Sequence, residues 1–258
     1  MTEYVGDELQ GSRFRQVDLT GSLFQSCDLS KVEFRAVDMT GVTMRSVDLI
    51  DVRIDGSIEN MVINGVDVGP LIEAELDRRY PLRAKMRPTT PEGFLEAWDV
   101  IERLWTQTVG RARRLPPATL HESVNGEWSF IETLRHLTFA TDSWLQRAIL
   151  GDPSPWDALG LPWDEMPDTV GVPRDRSARP SLDEVLHLRR DRMDRVRHYL
   201  ASVDEATLRA HTTPVEGPGW PPPQSLEVRR CLLIILNEEW EHRRFAERDL
   251  DVLESQSR

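Results

Sequence analysis

The sequence predicts a multidomain chain of mixed β and α class, a short four-sided β-solenoid followed by a four-helix bundle. Three observations carry this prediction. A bulky apolar residue stands at every fifth position from Phe14 to Ile54, a proline-rich break spans 80–91, and four capped stretches with helical apolar spacing follow it. The expected division is 1–68 for the solenoid, 69–90 for a helical cap and linker, and 91–258 for the bundle.

The apolar column is Phe14, Leu19, Phe24, Leu29, Phe34, Met39, Met44, Leu49 and Ile54. A five-residue step turns about 500° around an α-helix and scatters these side chains, and on a strand an odd step alternates faces. The backbone gathers them only by turning a corner once per repeat, which makes a coil of about twenty residues stacked on the next. Two residues before each stands a small or β-branched residue, such as Ser12, Val17, Cys27 or Val32, suited to a narrow interior. Gly21, Gly41 and Gly56 stand two residues after, where tight corners are expected.

Residues 12–56 resemble the pentapeptide-repeat family, whose units read roughly A-(D/N)-L-x-x, although Arg13, Leu23, Thr43 and Arg53 stand where an acid is common. The resemblance implies a right-handed quadrilateral β-helix. After it, Val62-Ile63-Asn64-Gly65-Val66 reads as a two-residue hairpin, and Pro70 opens a short helix to about Arg79 that can cap the coil. The domain boundary is expected in the proline-rich segment from Tyr80 to Pro91.

At 258 residues the chain has room for two domains, and nothing approaches an apolar run of about eighteen residues. With no signal-peptide pattern at the start and only Cys27 and Cys231, both in apolar settings, a reducing cytoplasm is the expected location. Both thiols read as core filler. The net charge of −12 argues against phosphate-mediated nucleic-acid binding, and no membrane contact is expected. Residues 1–68 hold six Arg or Lys and twelve Asp or Glu, so 6 − 12 = −6, half of that charge. Some pentapeptide-repeat proteins mimic DNA, but two and a quarter coils span only about 10 Å at strand spacing, too short for a duplex segment. A solvated acidic face is the plainer account.

The bundle begins with Thr90-Pro91 as N-cap and first-turn proline, followed by Phe94, Trp98, Ile101 and Trp105 in a helical stripe to about Arg114. Ser129 with Glu132 makes a capping box before Leu134, Leu137 and Trp144, and Ser181 with Glu184 repeats it before Leu186, Met193, Val196 and Leu200. Ser225 is expected to start the last helix, running to about Leu253. The thirty residues from Gly151 to Pro180 far exceed what an antiparallel helix pair needs, so a crossover leaving the second and third helices parallel is expected. That loop and the long link from His211 to Gln224 can overhang a site.

The last helix carries the chemistry. Its core line reads Cys231, Ile235, Glu238, His242, Phe245, so a carboxylate and an imidazole interrupt an apolar stripe. An unpaired buried carboxylate costs several kcal/mol, which an Arg, a protonated carboxyl or a metal removes. The i, i+4 spacing aims Glu238 and His242 at one point, as metal-binding helices do, while a Glu–His hydrogen bond is the simpler alternative. His136, beside the stripe residue Leu137, reaches the same level if the second and last helices are antiparallel.

The segments Trp128–Leu137 (WSFIETLRHL) and Asn237–Arg243 (NEEWEHR) are similar to the two metal-bearing motifs of the DinB-like superfamily, a resemblance covering most of 91–253. There one helix gives a His and a later one H-x-x-x-H, and the mycothiol-dependent maleylpyruvate isomerase branch has Glu first, as here. The resemblance implies an up-down-down-up bundle and a metal held by His136, Glu238 and His242. Three ligands leave a coordination position open, the mark of a catalytic rather than a structural site. Zinc there lowers the pKa of a bound water or thiol, and Ni²⁺ or Fe²⁺ suits the same donors.

Other residues have local explanations. Glu132 is accounted for by its capping box, and Glu239-x-x-His242 has di-iron spacing without the partners such a site needs. His121, His187, His198 and His211 read as surface residues. Trp156, Trp163, Trp220 and Trp240 can line a pocket or simply pack. Two function classes stand. One is a metal-dependent transferase, isomerase or hydrolase acting on a small molecule with water or a low-molecular-weight thiol such as mycothiol. The other is a binding module with a structural metal, docking a partner through the repeats. No catalytic residue is assigned beyond the metal shell, and homodimerisation follows by analogy alone.

Overall fold

The computed structural model of the chain describes residues 4–6 and 9–256. It divides into two compact units, Met1–Val52 and Arg53–Arg258.

In the first unit the backbone turns a corner at every fifth residue. Gly11, Gln16, Gly21, Ser26, Lys31, Ala36, Gly41, Ser46 and Asp51 all lie in the left-handed region, with φ between 50° and 77°. Each stands two residues after a residue of the apolar register, where corners are expected. Gly56 lies outside that region. Every second corner is closed by a backbone hydrogen bond, from Ser12 to Leu9, Ser22 to Leu19, Val32 to Leu29 and Val42 to Met39. Asp18, Asp28 and Asp38 support the same corners by accepting from the amides of Thr20, Ser30 and Thr40 at 2.8 Å.

The expected burial of the column is not observed. All nine of its side chains remain 41–63 % exposed, and no strand forms among the unit's described residues. These backbone hydrogen bonds close turns within the repeats and lay nothing over the column. The five-residue period is therefore expressed in the corners but not in a packed interior.

The second unit opens with a hairpin, β1 (Val62–Ile63) and β2 (Val66–Asp67), antiparallel with Ile63 opposite Val66. Asn64 and Gly65 at φ 49° and 82° form the type I′ turn that Asn-Gly favours. α1 (Gly69–Arg79) follows, started by Pro70. Arg83 ties its far side down through Glu73 and Asp77, and the Arg244 guanidinium lies 4.5 Å over the Tyr80 ring. Met86, within the segment expected as linker, is buried in the core of the bundle.

The bundle consists of α2 (Pro91–Ala112), α3 (Phe130–Thr141), α4 (Leu182–Leu200) and α6 (Val228–Gln256), with a short α5 (Glu205–Arg209) between the last two. Thr90 caps α2, and both capping boxes form as expected. α3 continues into a π-helical stretch, Asp142–Ile149. Phe94, Trp98, Ile101 and Trp105 of α2 pack against Leu134 and Leu137 of α3, Val185 and Val196 of α4, and Ile235, Leu236 and Leu250 of α6.

Side-chain pairs fix the helix directions. Arg135 reaches carbonyls just before α4 and Asp142 pairs with Arg192 within it at 2.8 Å, so α3 and α4 run parallel. His136 meets Glu238 while Ala148 packs on Cys231, so α3 and α6 are antiparallel. Arg197 bonds Asp99 and Glu102 while Arg113 bonds Asp183, so α2 and α4 are antiparallel. The crossover from Gly151 to Pro180 thus carries the chain back along the bundle.

One boundary departs from expectation. Ser225 does not cap α6, which begins three residues later: its hydroxyl donates to the Thr212 carbonyl at 3.0 Å, and residues 226–227 form a bridge with 211–212. Tertiary pairing here overrides a local capping signal. No helix among the described residues is long and apolar enough to cross a membrane.

A buried ion pair joins α4 to α6, with Arg189 Nη2 2.7 Å from Glu239 Oε2 and the two side chains 3 % and 1 % exposed. The guanidinium also lies 5.9 Å from the Trp105 ring centre. Removing one partner strands the other in the core. Arg189→Ala is therefore expected to lower unfolding free energy in urea by about 3–5 kcal/mol, and Arg189→Met with Glu239→Leu to recover most of that loss.

Candidate metal centre

The three residues singled out on α3 and α6 meet. His136 Nε2 lies 3.4 Å and His242 Nε2 3.0 Å from the same oxygen of Glu238, Oε2. One donor atom from each residue lies within 4.8 Å of the others. The reason is geometric. Glu238 and His242, one turn apart, share a face of α6, and antiparallel α3 presents His136 at their level.

The imidazole of His136 is oriented from behind. Its Nδ1 is 3.0 Å from the carbonyl oxygen of Leu161 in the crossover loop, so an Nδ1–H donates there and the Nε2 lone pair faces Glu238. The loop is tied to α3 beside this contact, where Leu161 N donates to the Arg135 carbonyl. Arg135 itself, fully buried, donates to the carbonyls of Leu159, Ala178 and Asp175. Burial pushes the His136 imidazole below its ordinary pKa, leaving it neutral at neutral pH. Burial opposes the charge on Glu238, but contact with the His136 and His242 imidazoles outweighs it, and the carboxyl is held well below the usual range.

Aromatic rings surround the cluster. Trp128, just before the α3 capping box, stacks on His242 with centroids 5.7 Å apart and interplanar angle 12°, and tilts against His136 at 4.5 Å. Its indole N–H donates to Asp164 in the crossover loop at 2.9 Å. Phe139 lies 6.2 Å from His136 on the other side. The His136 side chain is only 8 % exposed, whereas Glu238 and His242 retain 28 % and 21 %, so the cluster opens to solvent on the α6 side.

The donor set fits a divalent cation. Tetrahedral zinc with bonds of about 2.0–2.1 Å separates neighbouring donors by about 3.3 Å, close to the two contacts at Glu238. Two imidazoles and one carboxylate also suit Ni²⁺ or Fe²⁺.

Other residues fall as their local chemistry requires. Glu132 serves Ser129 in its capping box, accepting from the backbone amide at 2.9 Å. Glu239 turns away from the cluster to Arg189. His187, His198 and His211 are exposed, and His121 is half-buried. Trp240 is buried in the core, whereas Trp156, Trp163 and Trp220 are half-buried in the loops. Neither the Leu161 carbonyl nor the loop-binding role of Arg135 carries a sequence signal. Trp128 is the missed residue with a usable one, an aromatic placed directly before a capping box that starts a ligand-bearing helix.

Compared with known families, residues 101–246 match a model described as the DinB superfamily, and residues 8–57 match eight copies of one described as pentapeptide repeats. No curated protein and no solved structure matches the chain.

Neither thiol takes part in the cluster. Cys27 is exposed, contrary to its expected place in a packed interior, because the repeat column is open. Cys231 is buried in the bundle, and burial pushes its thiol up to about 11. A disulfide reagent such as dithiobis-nitrobenzoate at pH 8 is expected to titrate Cys27 rapidly in the native chain and Cys231 only after unfolding, as followed by nitrothiobenzoate absorbance.

Proposed function

The chain belongs to the DinB superfamily, and on that premise we propose that His136, Glu238 and His242 hold a divalent metal, zinc by first choice, in a metal-dependent enzyme. The reading is a thiol-dependent transferase or isomerase, or a hydrolase, with a small-molecule substrate. The observation that carries it is convergence: donors from two antiparallel helices meet around one carboxylate oxygen, with the solvent-facing side left open. A bound ion supplies Lewis acidity there, lowering the pKa of a water or thiol in its open position.

The protein's own residues divide the remaining work. Leu161 holds the His136 tautomer through Nδ1, which keeps Nε2 as a donor. Glu238 contributes the negative charge that offsets part of the cation's charge, and its anionic state is favoured at neutral pH. Trp128 and Phe139 flank the imidazoles and keep water off their faces. In this reading the nucleophile is water or an added thiol such as mycothiol.

The repeat segment supports a separate role as a contact surface for a protein partner. Nine large apolar side chains remain exposed at a regular five-residue step. The corners at that same step support a right-handed quadrilateral β-helix as the form in which the column becomes covered.

Metal analysis of protein purified without a histidine tag tests the centre. About one equivalent of divalent metal is expected in the wild-type chain and less than about a tenth of that in His242→Ala. No metal in the wild type, or unchanged content in the variant, contradicts the reading. For thiol dependence, mycothiol or bacillithiol is expected to shift and intensify the visible absorption of the cobalt-substituted chain, and an unchanged spectrum would leave hydrolysis as the surviving chemistry.

A further inference from the structure

The crossover loop touches the metal centre through Leu161, and the loop before α6 is fastened to that loop. Arg147, on the π-helical stretch after α3, is fully buried, lies 5.5 Å over the Trp156 ring and donates to backbone carbonyls: Pro153 at the start of the crossover loop, and Val215, Gly217 and Pro221 in the loop before α6. Among the described residues no carboxylate bonds to it, so its fork serves as a joint between the two loops. Gly219 sits against that joint at φ 147°, where an added side-chain carbon would come within 2.4 Å of the Trp156 ring and 2.8 Å of the Arg147 guanidinium carbon. The glycine is therefore required for the close approach.

What the joint presents is aromatic. Trp163 of the crossover loop and Trp220 of the later loop meet edge to face with centroids 4.7 Å apart. Trp163 lies 6.3 Å from Phe139, which in turn lies 6.2 Å from the ligand imidazole of His136. Trp163 stands two residues after Leu161, the residue that orients that imidazole. Both indoles are half-buried, an exposure that costs solvation and that a rigid joint maintains. Aromatic side chains beside a few convergent polar groups are a usual composition of small-molecule sites.

From this geometry we infer that Trp163 and Trp220, held by Arg147, form a preformed aromatic subsite beside the metal centre that takes the planar, unsaturated or aromatic body of a ligand whose donor atom reaches the metal. The inference rests on the metal reading above and names the class of molecule it serves. Ring stacking in a rigid wall discriminates by shape, so a flat ligand gains where an aliphatic one with the same donor does not.

The test uses the full-length cobalt-substituted chain, titrated separately with benzohydroxamate and acetohydroxamate, which share the metal-binding group and differ in the body attached to it. Affinity is read from the visible absorption of Co²⁺. The wild type is expected to bind benzohydroxamate about tenfold or more tightly than acetohydroxamate, and Trp163→Leu and Trp220→Leu each to shrink that preference to about threefold or less at unchanged cobalt content. A wild-type preference below about threefold, or one preserved in both variants, overturns the aromatic subsite and leaves the metal centre standing. Failure of the wild type to take up cobalt overturns both.

Discussion

The carboxylate of Glu238, drawn into the bundle between two imidazoles, is the interaction on which the rest of the site depends. A charge in that position is tolerated only if something opposite in sign, or strongly hydrogen-bonding, surrounds it. Here one oxygen collects both His136 and His242 at 3.4 and 3.0 Å. The contact is met by the rotation of α6, the level of α3 and the antiparallel pairing between them. A turn's displacement of either helix would separate the three groups by about 5.4 Å.

A second layer follows from the first. His136 needs its far nitrogen satisfied, and the partner is a carbonyl in the crossover loop. The loop in turn is held by Arg135 and joined to its neighbour by Arg147, two arginines fully buried with backbone carbonyls as their hydrogen-bond partners. Burial lowers the pKa of both, which shows the cost of keeping these cations away from solvent. The hydrogen bonds they donate offset that cost and order loops that contain several prolines and little regular structure. The crossover loop is thus part of the candidate site rather than a tether around it.

Much of this was legible because its causes are local. Ser129 with Glu132 and Ser181 with Glu184 each satisfy amides within one turn, and Asn64-Gly65 needs only its own dihedral preferences to close a hairpin. Glu238 and His242 were legible because polar residues in an apolar stripe demand a partner. Ser225 misled because a backbone bridge to residues 211–212, distant in sequence, determines where α6 starts. The repeat column shows a different limit: the five-residue step predicts the corners, but burial depends on coil-to-coil contacts that no local signal guarantees. Carbonyl partners such as Leu161 leave no trace in side-chain identity at all.

The central claim is that the Glu238 oxygen, His136 Nε2 and His242 Nε2 enclose a metal with a position left open. Anomalous diffraction from crystals of the full-length chain, collected on both sides of the zinc absorption edge, tests it most directly. The account predicts a single strong peak within about 2.0–2.2 Å of all three donor atoms, with a non-protein ligand completing the coordination. Density showing three directly hydrogen-bonded side chains with no anomalous signal between them would contradict it.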